Sequence, residues 1–139
     1  MKQLVLKTAL AVGVMFAADQ AVANETIYDC ALKKGPRGSW VGERAVFWID
    51  VDKGKAQVID GVVDYVYGKP LPARLDVRNN GNLMVSWSVD EAPGRNVQTI
   101  VEYSAILIPK SGRVTINAVL PSYDNRSSGR GKCRIGTGG

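Results

Sequence analysis

The residues best equipped for chemistry in this chain are two cysteines and a group of cations around them. Cys30 and Cys133 are its only thiols, and it contains no His. Two thiolates without a third ligand make a poor metal site. In an exported chain they read instead as one disulfide. Lys33, Lys34 and Arg37 follow the first cysteine, and Arg126, Arg130, Lys132 and Arg134 surround the second. The bond would bring these cations to one end of the fold, with Asp29 and Asp124 as nearby counter-charges. Such a patch suits an anionic partner, either an envelope component such as lipid head groups or an acidic protein surface. The bland alternative is a set of solvated basic loops. Aromatic residues do not interleave with the cations, which argues against single-stranded nucleic acid.

Other chemistry is harder to assemble. Without His there is no Ser-His-Asp or Cys-His nucleophile. The acids Asp60, Asp64, Asp76, Asp90, Glu91 and Glu102 fall in turns or on outward strand positions, and no pair is marked out for acid–base work. Asp50-Val51-Asp52-Lys53-Gly54 resembles the start of a calcium loop, but Gly54 stands where an oxygen ligand belongs and the distant Glu is missing, so it reads as a hairpin turn. Gly129-Arg130-Gly131 is too short for a phosphate loop. The expectation is a protein that is not an enzyme and needs no cofactor or metal. Tyr65, Tyr67, Trp87 and Tyr103 point inward by strand parity. They are candidates to line a cavity, which would make the chain a small-ligand carrier, or else they fill the core. Trp48 points outward beside Val46.

The elements that must position these residues are strands. Ala45, Phe47, Ile49 and Val51 share one face, and Ala56 and Val58 continue after the turn at Lys53-Gly54. Asp60-Gly61 reads as a second two-residue hairpin, pairing Val58 with Val63 and Ala56 with Tyr65. Leu71, Ala73, Leu75 and Val77 alternate next. A three-residue Asn79-Asn80-Gly81 loop then pairs Val77 with Leu83 and Leu75 with Val85, and a four-residue loop at 109–112 pairs Leu107 with Val114 and Ala105 with Ile116. A one-residue slip at either turn would split the apolar face. Strands at 27–32 and 132–135 end the series, and Ser127-Ser128-Gly129 reads as a mobile loop. A meander whose ends are tied by a disulfide predicts an all-β fold, a small antiparallel up-and-down barrel of about eight or nine strands. A two-sheet sandwich is the alternative.

The chain has 139 residues, enough for one domain, and a net charge of +5. Residues 1–23 have the layout of a cleaved signal peptide: Lys2, an apolar run over 4–18 broken by Lys7 and Thr8, and Ala21-Val22-Ala23. The apolar stretch is too short to span a bilayer. The β-domain is therefore 24–139, and its expected place is the periplasm or outside the cell. Tyr28-Asp29-Cys30 and Gly129-Arg130-Gly131-Lys132-Cys133 resemble the bracketing cysteine segments of small exported proteins of Gram-negative, especially alphaproteobacterial, genomes. That resemblance implies export and a disulfide-tied β-domain, and no activity. Periplasmic lysozyme and metalloprotease inhibitors are similar in expected architecture only. The function these readings support is a non-enzymatic exported binding module for a protein, a glycan or an envelope lipid, with a small-ligand carrier as the alternative.

Overall fold

The computed structural model describes residues 25–93, 98–122 and 125–137. The expected signal peptide 1–23, Gly94 to Val97, Tyr123 and Asp124 lie outside them. The Pro93-Gly94 pair predicts a loop over 90–96, but residues 90–93 are strand, so that expectation is corrected for its described part.

Eight strands form one closed antiparallel barrel in which each strand pairs with its sequence neighbour and β8 pairs with β1. They are β1 (Thr26–Leu32), β2 (Arg44–Asp50), β3 (Lys55–Asp60), β4 (Leu71–Val77), β5 (Leu83–Pro93), β6 (Gln98–Ile108), β7 (Arg113–Leu120) and β8 (Asn125–Thr137). Closure leaves no open edge for another chain to extend. The barrel holds and the sandwich does not. Cys30 and Cys133 stand directly opposite each other on β1 and β8 and are bonded.

Alternation puts the apolar set inside. Phe47, Ile49, Val58, Val85, Leu107 and Ile116 are essentially inaccessible. Each such side chain contributes about 1.5–3 kcal/mol by leaving water. Two hairpins have the expected register: Val77 faces Leu83 and Leu75 faces Val85, while Leu107 faces Val114 and Ala105 faces Ile116. Gly81 holds φ 90° and Gly112 φ 74°, backbone that L side chains rarely adopt.

Three further expectations are corrected. The β2–β3 turn is longer, because Ile49 rather than Val51 faces Ala56. Asp50 accepts the Lys53 N–H at 3.1 Å and closes a wider turn, which leaves Val51 exposed. The shift is two residues, so Ala45, Phe47, Ile49, Ala56 and Val58 stay inward, and only Val51 leaves the expected face.

Secondly, 61–67 is not a strand but a helix, α1 (Gly61–Tyr67). Asp60 caps it, accepting the Val63 N–H at 2.8 Å. Gly68, at φ 68°, ends it and donates its N–H to the Asp64 carbonyl. Ala56 and Val58 consequently pair with Ala73 and Leu71 of β4, not with Tyr65 and Val63. Buried Val63 anchors the helix to the core.

Thirdly, β8 begins at Asn125, so Ser127-Ser128-Gly129 is strand and not a loop.

The two ends of the barrel differ. One end has the short turns β2–β3, β4–β5 and β6–β7. The other carries the long β1–β2 loop over 33–43 and α1. Val41 of that loop is buried, and Trp40 packs on the core.

Candidate functional site

Strand β8 builds a strongly basic face of the barrel. Its inward positions are small: Ser127, Gly129, Gly131 and Cys133. Its outward positions are Arg126, Ser128, Arg130, Lys132 and Arg134, all exposed. Small inward residues are required here. A Cβ on Gly129 would come within 2.6 Å of Val41 Cγ1, and one on Gly131 would run into the Ala31 carbonyl oxygen. The alternation therefore satisfies the loop and β1 on the inside and solvent on the outside.

The expected basic patch is redistributed. It does not collect at one end, because the disulfide lies within the wall, between the Asp29–Arg134 and Ala31–Lys132 pairs. From Arg126 to Arg134 the cations run along the strand for roughly 27 Å, at about 3.4 Å per residue. Arg113 on β7 faces Lys132 and lengthens the row sideways. The Lys33 N–H donates to the Arg130 carbonyl at 2.9 Å, so the β1–β2 loop starts against β8. Lys34 and Arg37 are exposed further along that loop.

One carboxylate belongs to this face. Asp29 takes two hydrogen bonds from Arg44, at 3.1 and 3.0 Å, and a longer ion pair from Arg134 at 3.5 Å. The hydrogen bond from Arg44, then the charges of Arg44 and Arg134, hold the Asp29 carboxyl below the usual range despite some desolvation. Among the described residues, Arg126, Arg130 and Lys132 have no ion-pair partner. The row thus keeps most of its charge available to solvent.

Where the row meets the β1–β2 loop, Pro36 to Ser39 face Asn125 to Ser128 across an open cleft of about 570 Å³. The Ser39 N–H donates to the Pro36 carbonyl at 3.1 Å, and Gly38 holds φ 86°. This is a tight turn with Arg37 at its second position. The Trp40 N–H donates to Ser127 Oγ at 3.1 Å and ties that turn to β8.

No family model, curated protein or solved structure matches this chain. Its site must be read from its own geometry.

The cavity candidates separate. Trp87 and Tyr103 point inward, stacked with ring centroids 5.0 Å apart and planes 4° from parallel. Phe47 meets Trp87 edge-on at 5.7 Å. The Tyr103 hydroxyl donates to the Trp40 carbonyl at 2.9 Å, which pins the loop over the barrel mouth. Burial above all, then the charge of Asp60, pushes the Tyr103 hydroxyl up. Tyr65 and Tyr67 leave the set because they lie on α1. Tyr65 is 75% exposed, and Tyr67 accepts the Asp90 N–H on the outside at 3.3 Å. Asp60 is also corrected: it lies on the buried face of β3 with Ala56 and Val58, not outward. Trp48 is outward as expected. It lies with Ile27, Val46 and Ile59 in a shallow pocket of about 560 Å³.

The cations around Cys133 are legible in the sequence as a basic group, but their alternation along one strand is not, because Ser127-Ser128-Gly129 reads there as a loop. Arg113 is not, because only the β7–β8 register brings it to Lys132. Among the described residues, no helix is long and apolar enough to cross a membrane.

Proposed function

We propose that this chain is a non-enzymatic binding module of the exported space that engages an anionic partner through the outer face of β8. One observation carries the reading: Arg126, Arg130, Lys132 and Arg134 share one exposed face, and three of them lack a carboxylate among the described residues. Long basic side chains above a wall of short ones offer their charge to solvent, and among the described residues no carboxylate pairs with Arg126, Arg130 or Lys132. Each contributes about 1 kcal/mol at an anionic surface, and less as salt rises. The disulfide supports the exported setting, since such bonds persist in oxidising compartments. So does the layout of residues 1–23.

Two measurements test this. Cosedimentation with phosphatidylglycerol vesicles, phosphatidylcholine vesicles and a sulfated polysaccharide resin should show retention on at least one anionic matrix, decreasing with salt. Arg130→Gln with Lys132→Gln should weaken it by about tenfold to thirtyfold. Equal retention on the neutral vesicles, or none on either anionic matrix, would refute the reading. Export is checked separately: the protein recovered from outside the cytoplasm should begin at Asn24.

A further inference from the structure

We infer that the cleft between the 36–39 turn and the start of β8 is a binding subsite for a phosphate-like dianion, held between Arg37 and Arg126 and completed by the Ser128 hydroxyl. The inference rests on the reading of β8 as an anion-binding face and names the chemical group that its upper end selects.

Arg37 and Arg126 line opposite walls of one cleft. Their backbones are fixed independently, Arg37 in a tight turn with Gly38 at positive φ and Arg126 on a strand paired with β7. The Trp40–Ser127 hydrogen bond holds the turn and the start of β8 together, and both arginines are exposed along the cleft they line. Two cations facing one space repel each other, and neither has an ion-pair partner among the described residues. An anion between them relieves that repulsion. Arginine chooses the anion further, since its planar fork donates two parallel N–H bonds to a tetrahedral oxyanion and does not match chloride. Ser128 is exposed on the same wall, so its hydroxyl is available as a third donor. The cleft is open, so a phosphomonoester carried on a larger body, such as a lipid head group with a terminal phosphate, reaches it as readily as the free ion.

Backbone amide resonances of the mature protein, followed while inorganic phosphate is added at constant ionic strength, test the subsite. Saturable shifts are expected at Ser39 and at Arg126 to Ser128, with a Kd on the order of millimolar. Arg37→Gln with Arg126→Gln should weaken binding at least about tenfold, and Arg37→Lys with Arg126→Lys should weaken it by less, since charge stays while the fork is lost. Lys53→Gln with Lys110→Gln, exposed in the turns at the other end of the barrel, should leave phosphate binding within about twofold. The wild-type protein separates the two readings: saturable phosphate binding without retention on either anionic matrix overturns the function proposed above and leaves the subsite standing. Glycerol 3-phosphate compared with inorganic phosphate distinguishes the sources: equal affinity points to a head group, and preference for the free ion points to phosphate itself. Shifts reproduced by chloride, shifts unchanged in the Arg37/Arg126 variant while its spectrum remains folded, or no saturable shift would overturn the subsite.

Discussion

Two inward polar groups tie stability to pH, and both do so with the same sign. Tyr103 donates its proton to the Trp40 carbonyl and is buried. Tyr103→Phe leaves that carbonyl without its partner and should cost about 1–2 kcal/mol in the denaturant midpoint. Its hydroxyl is pushed up from the ordinary value near 10. A raised value means that the group supports the fold fully below about 10 and less as pH rises past it. The wild type should therefore lose stability at alkaline pH more steeply than the Phe variant. Asp60 is likewise raised, chiefly by burial, against backbone N–H bonds that pull it down. Its contribution is complete below about pH 4 and declines as pH rises through the higher folded value. Asp60→Asn keeps an acceptor for the Val63 N–H and removes the buried charge. It should be at least as stable as wild type at pH 7, whereas Asp60→Ala, which loses the cap, should cost about 1 kcal/mol. An Asn variant weaker than the Ala variant would contradict this account.

At the scale of elements, β8 depends on the absence of side chains. Gly131→Ala would set a Cβ against the Ala31 carbonyl and 2.8 Å from Leu32 Cα, both part of the β1 backbone. Gly129→Ala would meet the Val41 side chain at 2.6 Å, on a loop that has room to shift. The first should cost more than about 3 kcal/mol and the second about 1–2 kcal/mol, in a comparison of urea midpoints. Equal losses would mean that the β1–β8 seam is softer than its pairing implies. The same glycines explain why this strand escapes a reading by apolar alternation: its inward face has almost nothing apolar to alternate. Helix α1 escapes for another reason. In Val62-Val63-Asp64-Tyr65-Val66-Tyr67, apolar residues occur at spacings of two and of three or four alike. Seven residues do not separate the two periods. The deciding signals are Asp60 and Gly68, a cap at each end.

For the whole molecule the seam between β1 and β8 joins the strands most distant in sequence, and its disulfide spans a separation of 103 residues. The disulfide stabilises it mainly by restricting the unfolded chain. For a loop near 100 residues the chain-entropy estimate is about 4–5 kcal/mol, with engineered cases giving less. Cys133→Ser should lower stability by about 2–5 kcal/mol and expose β8 to proteolysis. Thiol titration of the unreduced protein should find no free thiol. A Ser variant as stable as wild type would show that strand pairing alone closes the barrel. Because β8 carries the cations, that variant should also weaken anion binding under conditions where the seam opens, although neither cysteine touches the anion.

Local chemistry determined a large part of this architecture without reference to the fold. The Asn79-Asn80-Gly81 turn and the turn at 109–112 set their registers, because a one-residue slip would put Leu83 or Val114 in water. The cysteines near the two ends of the β-domain, with strands between them, required the first and last strands to meet. The inward direction of Trp87 and Tyr103 and the outward direction of Trp48 followed from parity, which survives a two-residue change of turn length such as that at Asp50. What only tertiary structure decided is where separate stretches meet. The width of the β2–β3 turn depended on a buried Asp50, and the short α1 on packing Val63 into the core. The placement of Arg113 beside Lys132, and of Arg37 across from Arg126, depended on pairings and loop contacts between residues far apart in the chain. Periodicity fixes which side of a strand a residue takes, and only the closed barrel sets which other residues share that side.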